Sequence, residues 1–306
     1  MRNVKQLILC AVLALLPFAA QGEVLLVEDF DYPAGSALVT ITDSAWFHQW
    51  DNHKNTTIIT DEGLTFDGYA GSDIGKALLV EGDHTNDEPY HAFKQVTSGD
   101  VWVAFLLQPT EVIKGGYLLT LRDEKIERNK QGEFNNCGRV QLDYEYFGEG
   151  ESAVAHPVIG LRVFKKAGAV YATDVPLDET TTYLVVMRYH IVSGSKNEVS
   201  LYLFDKIPTV LPAQPLIGPL TDPQAPDIAP AHVGLHTWNG VYGESGEVIF
   251  DGLRIATDFY EALGITAPTG IESRTAAGQS FGLRLMNGQI IITNGEKTFN
   301  LLGAEL

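Results

Sequence analysis

Cysteine is nearly missing from this chain: among 306 residues there are two, Cys10 and Cys137. Cys10 lies in an N-terminal apolar run that reads as a leader, so Cys137 is left alone after maturation. An internal disulfide is thereby excluded, and stability has to come from a core or a metal. Basic residues are also scarce, with 21 Lys and Arg against 39 Asp and Glu. Without Arg2 and Lys5 the balance is 19 to 39, a net charge of −20. A surface of that sign repels phosphate backbones, which argues against nucleic acid as a partner. It suits divalent cations, or it is simply a solvated surface. Beyond the N-terminus no stretch is long and apolar enough to span a bilayer, so no transmembrane segment is expected. No Ser-His-Asp elbow, phosphate-cradling loop or paired-cysteine zinc motif is present.

What is there begins with an address. Arg2 and Lys5 precede an apolar run from Leu7 to Phe18, followed by the small residues of "FAAQG". This is the pattern of a secretory signal peptide over residues 1–22, with cleavage after Gly22 or Ala20. A lipoprotein would use Cys10, but Leu9 stands where a small residue is needed and the apolar run continues past it. The expected location is secreted or at the cell surface, with outer-surface attachment open.

Nearly every patterned segment after that reads as a strand. "LLVEDF", "KALLVEG", "VWVAFLL", "YLLTLR", "RVQLDYEYF", "VIGLRVFKK", "TYLVVMRYHIV", "EVSLYLF", "HVGLHTW" and "EVIFDGLRIA" are short and rich in β-branched or aromatic residues. Gly, Asn, Asp and Pro separate them. One short helix is expected, in "TDFYEALG". Many strands without intervening helices predict an all-β sandwich or jelly roll over residues 23–264. Seven of the 14 prolines fall between Ile207 and Ala231. Strand patterns resume directly afterwards, so this run reads as a strap crossing the sandwich. Residues 265–279 read as a linker. The last segment, 280–306, carries two strand-like pieces around the hairpin signal Asn294-Gly295, and is too small for an independent domain.

Strand alternation nominates the functional candidates. In "VQLDYEYFGEG", Gln141, Asp143 and Glu145 share one face, with Val140, Leu142, Tyr144 and Tyr146 on the other. The plain alternative is the wet face of a half-buried strand. Arg188 and His190 alternate against Val185, Met187 and Tyr189. They could line the same surface as the acidic ladder, as could Arg162. In "HVGLHTW", His232, His236 and Trp238 share a face with Gly234. Two histidines could hold a metal, though a third ligand is not evident. Trp238 offers an indole platform for a sugar ring. In "AWFHQWDNH", Trp46 reads as core and Trp50 as the better ligand contact.

Two resemblances sit on these residues. From about 24 to 264 the chain resembles a concanavalin A-like, laminin-G-like jelly roll of the secreted bacterial kind. "VEDFDYPAGSAL" with "AWFHQW", "TYLVVMRYHIVSGSKNEVSLYLF" and "GEVIFDGLRIATDFYEAL" carry that likeness. Residues 268–306, with "TGIES" and "MNGQIIITNGEKTFNLLGAEL", resemble the linker and first half of the type IX secretion sorting domain of Bacteroidetes. The second half of that domain, with its G-x-Y-type strand, is absent.

The jelly-roll resemblance implies two antiparallel sheets with ligands on one face. Laminarinase-like glycosidases of this fold carry E-x-D-x-E or E-x-D-x-x-E, but here Gln141 stands at the nucleophile position, and an amide cannot form a glycosyl ester. The expectation is therefore a non-catalytic carbohydrate-binding module for an extracellular glycan or polysaccharide. Its ligand contacts would come from Gln141, Asp143, Glu145, Arg188, His190, His236, Trp238 and Trp50. The alternatives are a divergent glycoside hydrolase or polysaccharide lyase, and a structural cell-surface module. The same resemblance implies a calcium ion near the first and last strands, with Glu28 and Asp251 in the matching places.

Overall fold

The computed structural model describes residues 22–48, 56–81, 88–111, 116–124, 135–236 and 247–267, and three strands after residue 280. The chain opens with β1 (Val24–Glu28), a one-turn helix α1 (Leu38–Ile41), β2 (Trp46–His48), β3 (Ile58–Ile59), β4 (Leu78–Glu81) and β5 (Pro89–Ala92). Four longer strands follow: β6 (Gly99–Pro109), β7 (Gly116–Arg122), β8 (Asn136–Phe147) and β9 (Val154–Phe164). Then come β10 (Val170–Tyr171), β11 (Tyr183–Ile191), β12 (Glu198–Phe204), β13 (Ile217–Leu220), β14 (His232–Leu235), β15 (Glu247–Ala256) and α2 (Phe259–Leu263).

These strands form two antiparallel sheets. The first runs β13-β12-β11-β6-β15-β4-β3, with β1 also on β15, and the second runs β10-β9-β8-β7-β14-β5-β2. This is the jelly-roll sandwich anticipated from alternation. One strand, β15, serves two partners along one edge. Residues 247–250 pair with β4 and residues 253–256 pair with β1. The break falls at Gly252, where φ is 56° and a Cβ would meet the Gly71 carbonyl oxygen at 2.2 Å. Only glycine fits such a bulge.

Alternate residues of both sheets meet in the core. Val101, Val103, Phe105 and Leu107 of β6, with Val185 and Met187 of β11, face Val140 and Leu142 of β8, Ile159 and Leu161 of β9, and Val233 and Leu235 of β14. Phe105 and Phe250 stack at 4.7 Å between ring centroids. A second apolar layer covers the outside of the first sheet. Trp102, Ala104, Leu106, Leu184 and Val186 pack under Leu64, Phe66, Tyr69 and α2. Both faces of β6 and β11 are thus covered, which is why these strands read as unbroken apolar runs. Asp258 caps α2 by accepting from Tyr260 N and Glu261 N, and Gly264, at φ 64°, ends it.

The proline-rich run contributes β13, an edge strand on β12, where proline is tolerated because one side of the strand needs no ladder donors. The C-terminal unit, Thr266–Leu306, is separate. Its strands β16 (Phe281–Met286), β17 (Gln289–Asn294) and β18 (Lys297–Asn300) form a small antiparallel sheet, one strand more than the pattern suggested.

Because residues 22–265 contain both sheets and both apolar layers, a chain ending at Ile265 is expected to unfold cooperatively within a few degrees of the full-length melting temperature. A markedly lower or broadened transition by calorimetry would show that the C-terminal unit contributes to the sandwich.

Candidate functional site

Among the described residues the outer face of the second sheet has no apolar layer like that of the first, and polar residues gather there. Val140 and Leu142 enter the core, so Arg139, Gln141, Asp143 and Glu145 of β8 point outward. Burial falls along this row: Arg139 and Gln141 are 5% and 2% exposed, Asp143 is half-buried and Glu145 is exposed. Gln141 pairs across the ladder with Tyr117 of β7 on one side and Gly160 of β9 on the other. Arg139 lies directly opposite Arg162 of β9.

Two glycines let tyrosine rings lie flat on this face. A Cβ on Gly234 would meet the Tyr90 ring at 2.2 Å, and one on Gly160 would meet the Tyr171 ring at 2.4 Å. The Arg122 guanidinium covers Tyr90 at 4.1 Å from its centroid. Tyr117 is flanked by His236, stacked at 3.9 Å, and by the Arg139 guanidinium, also at 3.9 Å. Cation–π contacts of this kind hold guanidinium groups in place without consuming their hydrogen-bond donors.

Glu88 binds the cluster together. Its carboxylate accepts from Tyr117 Oη at 3.0 Å, Tyr90 Oη at 3.1 Å and His236 Nε2 at 2.8 Å, and Arg122 lies 4.0 Å away. Burial opposes the charged form of Glu88, but the His236 hydrogen bond, the charge of His236 when protonated and the Arg122 charge outweigh it and lower the carboxyl to about 2. Burial dominates at His236 and lowers its pKa, so the imidazole is neutral and donates its Nε2 proton. The phenols of Tyr90 and Tyr117 are pushed up by burial and by the Glu88 charge. Beside the Glu88 cluster, three donors of β8 and β9 matter for the outer face. Arg139 Nε, Gln141 Nε2 and Arg162 Nε are buried atoms without a hydrogen-bond partner.

The expected residues are placed as follows. Gln141, Asp143 and Glu145 share a face, and His236 stands on the same sheet, tied to Glu88 rather than open to a ligand. His232 turns its Nδ1 to the Asp123 carbonyl at 3.0 Å, so the two histidines do not converge on a metal. Arg188 and His190 need correction: they stand on β11 in the first sheet, across the core from the ladder. Both are engaged by Asp100, with Arg188 bidentate at 2.9 and 3.0 Å and His190 Nδ1 at 2.6 Å. Trp50 and Trp238 lie outside the described residues. Trp46 is core, fully buried, as expected.

Sequence reasoning missed Glu88, Tyr90, Tyr117, Arg122 and Arg139. Only Arg139 was within reach, since extending the ladder two residues back from Gln141 finds it. Gly138, at φ 59°, interrupts the strand just before.

The implied calcium was tested against the residues present. Glu28 does not fit: its oxygens accept from Phe30 N, Tyr32 Oη and Trp46 Nε1 at 3.0, 3.2 and 2.9 Å, and such donors repel a cation. Asp251 fits better. A Cβ on Gly63 would meet Asp251 Oδ2 at 3.0 Å, the Gly75 carbonyl at 3.5 Å and the Ile74 carbonyl at 3.7 Å, which marks a cradle lined by oxygens. Asp29 Oδ1 is buried without a partner, and the charge of Asp29 acts on Asp251. Burial raises the Asp251 carboxyl to about 7, the condition of an acid short of positive charge. Among the described residues no three His, Cys, Asp or Glu side chains are grouped for a metal, so backbone carbonyls would supply much of the shell.

No protein-family model and no curated protein matches this chain. Solved structures similar to it include the marine PL-14 alginate lyase from Aplysia kurodai, at 9% identity over 76% of this chain and 98% of that one, TM-score 0.47. The alginate lyase Aly36B shares 10% identity over 76% and 96%, TM-score 0.46. The globular domain of T. cruzi calreticulin shares 17% over 79% and 91%, TM-score 0.41. At these identities and scores no residue's role passes from them to this chain.

The Glu88 hub has a pH signature. Its folded pKa of about 2 lies below the ordinary 4.5, so its contribution is present above pH 4.5 and lost as pH falls toward 2. Glu88→Gln is expected to destabilise the protein at neutral pH by about 1–3 kcal/mol, the range for hydrogen bonds to a buried charged group, and to flatten its stability profile across this window, as measured by urea denaturation. An unchanged profile would deny the hub its role.

Proposed function

We propose that the outer face of the second sheet is a non-catalytic binding surface for an extracellular glycan bearing a negatively charged group. One observation carries this reading: Arg139 and Gln141 are buried, fixed by packing, and present donors that nothing in the described protein accepts. An unmet buried donor costs about 1–3 kcal/mol, and a sugar carboxylate with flanking hydroxyls would satisfy both. Tyr171, lying flat over Gly160, adds a ring beside them, and Asp143 is placed to accept from neutral hydroxyls.

A lyase is the second reading, favoured by the same arginine and amide. A charge neutraliser next to tyrosine and histidine is what proton removal beside a carboxylate requires. The protonation states weigh against it. Tyr117 and Tyr90 donate to Glu88 with raised pKa values, and His236 is stacked beneath Tyr117.

Calorimetry against neutral glucan and mannan and acidic alginate and homogalacturonan should show binding to an acidic polymer. Arg139→Gln and Gln141→Ala should each weaken it about tenfold or more. Ultraviolet absorbance should detect no unsaturated product. Equal affinity for neutral polymers, retained in both variants, would sink the charged-ligand reading, and product formation would establish the lyase.

The cradle at Asp251 supports a second proposal, a structural calcium ion held by Asp251 with Ile74 and Gly75 carbonyls and Asp29 nearby. Hard oxygen donors of this kind suit Ca²⁺. Added calcium is expected to raise the melting temperature of wild type and not that of Asp251→Asn. A chelator without effect on either would remove the site.

A further inference from the structure

Arg139 and Arg162 are cross-strand partners on neighbouring strands, with Cα atoms directly opposite. Like charges in that position destabilise a sheet, and native proteins normally place a carboxylate between them. None is found: among the described residues neither arginine has an ion-pair partner. Each has a buried Nε without an acceptor. Arg139 spends its face on Tyr117. Arg162 makes one long contact, from Nη1 to the Lys165 carbonyl at 3.4 Å. Tyr171 lies beyond Arg162 in the strand order, over Gly160, and its phenol is pushed to about 12 by burial first and by Asp143 next, with Arg162 opposing. In register, Tyr117, Gln141, Gly160 and Tyr171 form one row across β7, β8, β9 and β10, and Arg139 and Arg162 stand side by side in the next row as two cations without an ion pair among the described residues.

We infer that these rows hold two separate anionic positions, one on Arg139 with Gln141 and one on Arg162, so that the ligand is a polyanionic glycan carrying charge on neighbouring sugars. This deepens the glycan-binding reading and rests on it. The geometry suits such a polymer. Adjacent strands are about 4.8 Å apart, close to the repeat of an extended pyranose chain, so a polysaccharide crossing the strands meets a new strand with each sugar. Tyr171, whose ring lies over Gly160, would receive a ring face, and the arginines the charged substituents; Tyr117 is covered by His236 and Arg139 and serves to hold the latter.

The alternative is a single anion clamped by both guanidiniums, and a double-mutant cycle separates the two. The probe is the 1,4-linked galacturonate tetramer, with the guluronate and mannuronate tetramers in parallel, titrated calorimetrically at several salt concentrations. The proteins are wild type, Arg139→Gln, Arg162→Gln and the double variant, each checked for an unchanged melting temperature. Arg162→Lys is included to keep the charge. Two positions require that each Gln variant weaken binding about tenfold or more and reduce the salt dependence by roughly one charge. The double variant should bind more weakly than either single variant, although neighbours this close need not give the full product of the two losses, and Arg162→Lys should keep the wild-type salt dependence. A tetramer with all but one carboxylate methyl-esterified should lose its response to Arg162→Gln. A double variant no weaker than Arg139→Gln alone would mean one shared anion and overturn the inference. So would an Arg162→Gln protein that binds the fully charged tetramer as wild type does. If wild type binds none of the charged tetramers, the glycan reading itself falls and this inference with it.

Discussion

Register on β8 is the constraint on which the functional face depends. Val140 and Leu142 are wedged against β6 and β11, and each is essentially inaccessible. A slip of one residue would drive Arg139 and Gln141 into that core and expose both aliphatic side chains. The cost of burying an unpaired guanidinium there is prohibitive beside the few kcal/mol that hold a domain together. Register on β8 in turn sets β7 and β9, because Tyr117, Gly160 and Arg162 take their places from it. The positions of Tyr117, Arg139, Gln141 and Arg162 thus follow from two apolar side chains.

What the sandwich leaves uncovered matters as much as what it packs. The first sheet carries apolar residues on both faces, and α2 with residues 64–69 seals its outside. The second sheet spends its apolar residues inward only. Its outer floor is rigid for another reason: Glu88 fastens Tyr90, Tyr117 and His236, and those rings flank or carry Arg122 and Arg139. The arginines are therefore preorganised by stacking while keeping donors for a ligand. Preorganisation of this kind lowers the ordering cost of binding. The acidity of the remaining surface reaches the floor weakly, since salt screens exposed charges over about 8 Å.

Alternation and turn residues made the fold legible, because each strand declares its buried face in its own few residues. The ladder Gln141, Asp143, Glu145 was legible for the same reason. The partners were not. Glu88 and Tyr117 reach Gln141 and His236 through strand order and cross-strand register, which no single strand encodes. Arg188 and His190 show the same limit from the other side. Their alternation is correct, but alternation does not say which of two sheets a strand joins, and β11 joins the first. Glu28 sat near the expected cation site in sequence, yet its side chain turns toward Trp46 and Tyr32, while Asp251 follows the core residue Phe250 and points to the opposite face.

Whether such a floor binds or also reacts turns on where its protons are. Elimination needs a base whose pKa lies near the working pH and an acid close to the leaving oxygen. Here one carboxylate collects the protons of two phenols and an imidazole, and its own charge raises those phenols further from ionisation. An arrangement that makes Glu88 a stronger acid makes Tyr117 a weaker one, so the hydrogen bonds that fix the floor oppose the use of these phenols as bases. Arg139 and Gln141 escape this trade, because neither donates to Glu88. Their donors stay free for the anion that the proposed binding reading assigns to them.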